Sequence, residues 1–118
     1  MRVTLDEQLA RLPGPPNPLW PEGARSIEAL THGRMTLKLY APQGHDPQQP
    51  HAQDELYVVQ RGRARFEQGG QAVDVGPGDV LLVPAGRTHR FVEFSEDFAT
   101  WVVFWGPDGG EVAAGGVR

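Results

Sequence analysis

The sequence has 118 residues and no cysteine, which allows one domain with a real core and excludes disulfides and thiolate zinc sites. Its net charge is −4 without any block of basic residues, so nucleic acid is not an expected partner. We find no apolar run long enough to span a bilayer and no apolar segment typical of a signal peptide, and therefore expect a cytoplasmic protein. The 15 glycines and 11 prolines favour many short strands joined by turns.

The first predicted element is a short helix over Thr4–Leu12. Thr4 and Glu7 form a capping-box pair, and leucines recur at i, i+4 and i+7 from Leu5. A Pro-Gly-Pro-Pro run ends the helix. We therefore predict that residues 1–23 form a helix and a Pro-rich arm that pack on the rest of the chain.

Short apolar runs separated by turn residues predict eight strands in the rest of the chain. Their predicted bounds are Ala24–Leu30, Met35–Tyr40, Glu55–Gln60, Arg63–Glu67, Gln71–Val75, Val80–Val83, His89–Phe94 and Ala99–Trp105. No room remains between them for a long helix. The predicted fold class is therefore all-β.

Three of these strands carry informative patterns. Met35, Leu37 and Leu39 alternate with more polar residues, which predicts that their face of the second strand is the buried one. Val80–Val83 is apolar throughout, as is typical of a buried strand. Ala99–Trp105 is apolar on both faces, and one barrel core can cover only one of them. We therefore expect either the helix or a partner subunit to cover the other face, and favour a homodimer.

A histidine and acid cluster stands between the second and third strands. His51 and Glu55 are four residues apart, which on a straight strand separates them by about 13 Å. We therefore expect a bend over residues 52–54 that folds His51 back over Glu55. Together with His89 they would supply two imidazoles and a carboxylate, a donor set for a divalent metal. The alternatives are a surface salt bridge and a structural histidine beside a turn.

Other residues near the cluster have simpler interpretations. His32 lies in a predicted turn and is expected to be solvated, and His45 lies in a loop near the site. Asp54 is expected to be solvated or to cap the bend, and it points away from Glu55. Tyr57 has the same strand parity as Glu55 and should line the interior.

The stretch from residue 49 to 93 resembles the two motifs of the cupin family. The first motif matches at His51, Glu55 and Gly62, with Gln49 where the family has another histidine and Gly44 one residue out of register. The second motif matches at a glycine, a proline, a second glycine and a histidine. These are Gly78, Pro84, Gly86 and His89, with Glu93 in place of the final asparagine.

The resemblance implies a single jelly-roll β-barrel over residues 24–106, carrying the short N-terminal helix and followed by a flexible tail over 107–118. It also implies a mononuclear divalent metal, such as Zn, Fe, Ni or Mn, held by His51, Glu55 and His89. Gln49 is the expected fourth ligand, and Gln53 is the competing one because it has the same parity.

The resemblance further implies a small organic substrate and a dioxygenase-, isomerase- or hydrolase-type reaction. It assigns no catalytic residue. The alternative is a non-enzymatic protein that binds or regulates through a small ligand, which the loss of a histidine at Gln49 favours. A third alternative is a purely structural barrel.

Overall fold

The computed structural model describes residues 1–112, which form eight antiparallel strands and one short helix. The helix α1 spans Leu5–Leu9. The strands are β1 Ser26–His32, β2 Met35–Tyr40, β3 Asp54–Arg61, β4 Ala64–Gln68, β5 Gln71–Val75, β6 Val80–Val83, β7 His89–Phe94 and β8 Ala99–Trp105. The predicted all-β class is confirmed, and seven of the eight predicted strands start and end within one residue of the observed bounds.

The strands form two sheets that enclose one core. The larger sheet has the order β1-β2-β8-β3-β6, and the smaller has the order β5-β4-β7. Aromatic side chains from both sheets meet between them, and Tyr57 from β3 packs edge-on against Phe66 from β4 and Phe91 from β7. This apolar centre fills one part of the barrel interior, and polar side chains occupy another part.

Helix α1 is shorter than predicted. Thr4 caps it, since its Oγ1 accepts a hydrogen bond from the Glu7 N–H at 3.2 Å. Beyond Leu9 the chain continues in a tighter turn, in which the Leu12 N–H donates to the Leu9 carbonyl oxygen at 3.1 Å. Proline at position 13 disfavours further helix, so the last predicted turn is not α-helical. The leucine stripe nevertheless packs against one apolar cluster, formed by Leu39, Ala41, Ala99 and Trp101.

The apolar face of β2 is buried at Leu39, but the barrel core is not what covers it. Lys38 pairs with Val102, which is buried on the interior side of β8, so Lys38 lies on the face that lines the barrel. Leu39 lies on the opposite, outer face and is buried there because the leucines of α1 cover it. The alternating pattern was real, but a helix rather than the barrel core covers the apolar side.

The prediction that β6 is a buried strand was wrong. Val80 and Leu82 are 57% and 55% exposed, and only Val83 is buried among the four residues of β6. The strand lies at an edge of the five-stranded sheet, and Val80 and Leu82 lie on its exposed outer face. The apolar run therefore marks an exposed outer face rather than burial on both sides.

Strand β8 divides its two apolar faces as predicted. Val102 and Phe104 pair with Tyr57 and Glu55 on the interior face, and Trp101 lies outside under the helix leucines. After β8 the chain turns back, and the Gly109 N–H donates to the Ala52 carbonyl oxygen at 2.7 Å. Residues 113–118, the remainder of the predicted tail, lie outside the described residues. Within the described part of the chain, no helix is long and apolar enough to cross a membrane.

Candidate metal centre

His51 and Glu55 are brought together by a bend at the start of β3. Residues 52 and 53 are bends, and the expected folding of His51 over Glu55 is confirmed, since His51 Nε2 lies 3.8 Å from Glu55 Oε2. Glu55 lies on the interior face of β3 between Val83 of β6 and Phe104 of β8. The bend is therefore what lets residues four apart in sequence share one site.

His89 reaches the same point from the other sheet. It is the first residue of β7, directly after the turn that begins at Pro84. Its Nδ1 lies 2.9 Å from the Arg87 carbonyl oxygen, which can only accept, so Nδ1 is the donor. This hydrogen bond directs the other ring nitrogen, Nε2, towards Glu55 and leaves it free as a metal donor in neutral imidazole.

The three side chains form a tight and largely buried cluster. His89 Nε2 lies 2.5 Å from Glu55 Oε1, and one ligand atom from each of the three residues lies within 4.8 Å of the others. The side chains of Glu55 and His89 are 1% and 0% exposed, whereas that of His51 is 34% exposed. The cluster is therefore closed on the side of the core and accessible on the side of His51.

The hydrogen bonding of this cluster fits a bound cation. Four buried polar atoms in it have no hydrogen-bond partner of acceptable geometry: His51 Nε2, both Glu55 oxygens and His89 Nε2. The short distance between His89 and Glu55 does not amount to such a bond. Buried polar groups nearly always have a hydrogen-bond partner. Four buried nitrogen and oxygen atoms without one, all at the same point, therefore indicate a site for a bound ion. A divalent ion bonded to two imidazoles and a carboxylate satisfies them.

The two histidines differ in how readily they take up a proton. Burial lowers the pKa of His51, and this effect outweighs the attraction of Glu55. Burial also acts to lower the pKa of His89, but contact with Glu55 and the Arg87 carbonyl outweighs it, so the pKa of His89 is raised. The proton and a metal ion therefore compete at His89 Nε2 more strongly than at His51.

The two candidate amide ligands have different environments. Gln49 is exposed and borders a cavity next to His51, so it stays a predicted fourth ligand. The side chain of Gln53 is held elsewhere, because its Nε2 donates at 2.9 Å to the carbonyl oxygens of both Arg34 and Gly106. This difference favours Gln49 over its competitor.

The remaining sequence candidates lie outside the cluster. His32 is exposed, in agreement with a solvated position, and His45 is exposed with its ring 4.9 Å from that of Trp20. Asp54 is not solvated, because it is buried and accepts from the backbone N–H groups of Ala85 and Glu111. It holds the turn before His89 and the segment after β8 against β3.

The structure also shows a buried polar network that no sequence pattern predicts. Asp46 accepts hydrogen bonds from the Tyr40 hydroxyl at 2.5 Å, from Gln48 Nε2 at 2.8 Å and from the Phe91 N–H at 2.9 Å. Gln48 in turn accepts from the Tyr57 hydroxyl at 2.8 Å. Burial and the nearby carboxylates raise the pKa of both tyrosines, so both remain proton donors. The network fixes the loop before His51 against three strands.

A comparison with known proteins agrees with this geometry. The sequence profile of the Cupin domain matches residues 36–105, which is more than half of the chain. The protein belongs to the cupin family. The matched segment includes all three members of the His51, Glu55 and His89 cluster.

Three individual proteins give the extent of the similarity. An uncharacterised protein of Streptomyces coelicolor is 42% identical over 84 residues, 70% of this chain and 80% of its own. The structure of protein NMB1881 from Neisseria meningitidis superposes with a TM-score of 0.67 at 17% identity, over 90% of this chain and 100% of that one. A cupin-2 domain protein from Shewanella frigidimarina gives 0.63 at 16% identity, over 89% and 93%. The two structures support the fold.

Proposed function

We propose that this cupin binds one divalent first-row metal ion through His51, Glu55 and His89 and that it acts on a small organic molecule. The observation that carries the proposal is the convergence of three ligand atoms within 4.8 Å, with four buried atoms that lack hydrogen-bond partners. Zinc, iron, nickel and manganese all accept this mixed nitrogen and oxygen donor set. Gln49 is the proposed fourth protein ligand.

Such an ion, when bound, polarises an oxygen of a substrate or activates water or dioxygen. The chain supplies the surroundings. Glu55 and His89 are closed to solvent by the core, whereas His51 borders two cavities, so a substrate approaches from the side of His51. The proposed reaction is of the dioxygenase, isomerase or hydrolase type.

The second candidate is a non-enzymatic cupin that binds a small ligand or has a regulatory role. Gln49 favours it, because an amide oxygen is a weaker donor than imidazole towards first-row metals. It predicts ligand binding without turnover. In both cases we propose a cytoplasmic protein that forms a homodimer.

Metal analysis of the purified protein tests the proposal. Protein prepared without chelator is expected to carry about one divalent metal per chain, and His51→Ala and His89→Ala are each expected to lose most of it. His32→Ala is the matched control, since His32 is exposed and outside the cluster. A parent protein that stays metal-free after incubation with zinc, nickel and iron would contradict the proposal. Oxygen uptake with a panel of small acids and phenols then distinguishes enzyme from binding protein.

A further inference from the structure

A cavity of about 390 Å³ lies directly beside the candidate metal centre. Its walls come from the N-terminal arm, from β2 and β8, and from the loop before His51. The apolar part of its lining includes Trp20, Val102 and Phe104, and His51 lies at its border. The volume lies within the range of small-molecule sites.

Among the described residues, Lys38 is the one with a full charge at neutral pH in the lining of this cavity. Its Nζ lies over the Phe104 ring, 5.7 Å from the ring centroid, and the same ring lies 4.8 Å from the ring of His51. Within residues 1–112, no carboxylate lies within 4.0 Å of Lys38. Lys38 also lines the neighbouring cavity, which holds the carboxylates of Glu28, its cross-strand partner, and Asp108, whereas neither of these lines the cavity of about 390 Å³.

The position of Lys38 is unusual for a lysine. It is half-buried on the interior face of β2, whereas lysine is normally solvated or paired. Its Nζ and the His51 ring lie against the same Phe104 ring, so the two groups are close in space. A half-buried ammonium without a carboxylate partner regains favourable interactions when an anion binds it.

We propose that this cavity binds a small carboxylate with an aromatic or other apolar body. The carboxylate contacts Lys38 Nζ, and the apolar body packs against Trp20 and Phe104. The bound molecule then lies beside His51, on the accessible side of the metal centre. The inference deepens the proposed function by naming its ligand class and rests on it only for the role of that ligand as a substrate.

A second cationic cavity does not offer the same site. A larger cavity of about 670 Å³ contains Arg63 and Arg65, but three acidic residues share its lining. Arg65 Nη1 already lies 3.8 Å from Asp74 Oδ1. This cavity also lies away from the candidate metal ligands, since none of them lines it. Arg65 is therefore suited to serve as the control for loss of a positive charge.

Calorimetric titration of benzoate and benzyl alcohol into the metal-free protein tests the inference. The two probes share a ring and differ in the carboxylate. We expect the parent to bind benzoate about tenfold more tightly than benzyl alcohol, and Lys38→Met to lose that difference. Lys38→Arg and the control Arg65→Met are expected to retain it. Circular dichroism verifies that each variant is folded, and Lys38→Gln replaces Lys38→Met if the latter does not fold.

Several outcomes would overturn the inference. These are a parent that does not bind benzoate, a Lys38→Met variant that binds it like the parent, or an Arg65→Met variant that loses as much affinity. Benzoate binding that needs added zinc and ignores Lys38 would place the carboxylate on the metal, against the inference. Conversely, Lys38-dependent binding in a protein that never takes up metal would support the carboxylate site and contradict the metal function.

Discussion

The backbone N–H of Gly86 donates a hydrogen bond of 2.8 Å to the carbonyl oxygen of His51. This bond ties the segment that supplies His51 to the turn that precedes His89. Gly86 has a φ of +77°, and a Cβ placed there would meet no atom within 4 Å. Glycine is therefore required here for its backbone conformation and not for lack of space. The hydrogen bond to His51 links the geometry of this turn to that of the metal ligands.

Gly86→Ala is predicted to weaken metal binding as well as the fold. Left-handed backbone costs alanine about 1 kcal/mol relative to glycine, and relaxation of the turn shifts both histidines. Gly70→Ala is the matched control, because Gly70 has a φ of +78°, is equally open and lies at the β4–β5 turn. Urea denaturation is expected to show similar losses in the two variants, whereas zinc titration is expected to show a loss only for Gly86→Ala. Equal zinc affinity in the two variants would show that the conformation of the Gly86 turn does not affect metal binding.

Metal affinity is predicted to fall as the pH is lowered. A metal must displace any proton from the imidazoles, and the pKa of His89 is raised above its usual 6.5 while that of His51 is lowered below it. Loss of affinity therefore begins above pH 6.5, as His89 protonates, and steepens below pH 6.5, as His51 follows. Zinc competition titrations from pH 8.5 to 5.5 measure this. An affinity that does not change between pH 8 and 6 would contradict the assignment of His89, and His32→Ala should leave the profile unaltered.

Substitutions at the two glutamines are predicted to distinguish the candidate fourth ligands. Gln49→His is expected to tighten zinc or nickel binding, because imidazole is the better donor, and Gln49→Ala to weaken it modestly. Gln53→Ala is expected to lower stability, since it removes two hydrogen bonds to backbone carbonyls, without a direct effect on the metal. If Gln53→Ala alone lowers metal affinity, the first cupin motif has been aligned with this sequence in the wrong register. If none of the three changes it, the protein supplies three ligands.

The exposed outer face of the five-stranded sheet is predicted to form the homodimer interface. Val80 and Leu82 are more than half exposed, and Leu56, Val58 and Val103 on the same face are only partly buried. Helix α1 covers another part of this face, so the apolar surface that remains suits a second copy. Light scattering at micromolar concentration is expected to give a dimer for the parent.

Leu82→Glu is expected to give a monomer, because it places a charge in that interface. Val73→Glu is the control, since Val73 is 51% exposed but lies on β5 in the other sheet. A monomeric parent, or equal dissociation of both variants, would rule out this interface.

The fold was predictable because local signals agree with one another. Glycine turns fix the strand ends, and in Gly62 the reason is visible, since its φ is +71° and a Cβ would lie 2.4 Å from Ser95 Oγ. The His51 and Glu55 pair was predictable from the conflict between their spacing and a straight strand, which a bend resolves.

Other features depend on contacts that sequence patterns do not encode. Alternation in β2 shows that its two faces differ, but only the position of α1 reveals that Leu39 faces the helix and Lys38 the interior. Asp46 lies in a loop without periodicity, and its burial depends on hydrogen bonds to Tyr40 and Gln48 nearby in sequence and to Phe91 on a distant strand. Position in the sheet, rather than composition, leaves Leu82 exposed.

An anomalous difference map from zinc-loaded crystals would show whether His51, Glu55 and His89 hold one metal ion. We expect one strong peak about 2.0–2.2 Å from His51 Nε2, His89 Nε2 and a Glu55 carboxylate oxygen. No peak at this cluster, or a peak only at an exposed histidine such as His32 or His45, would contradict this expectation.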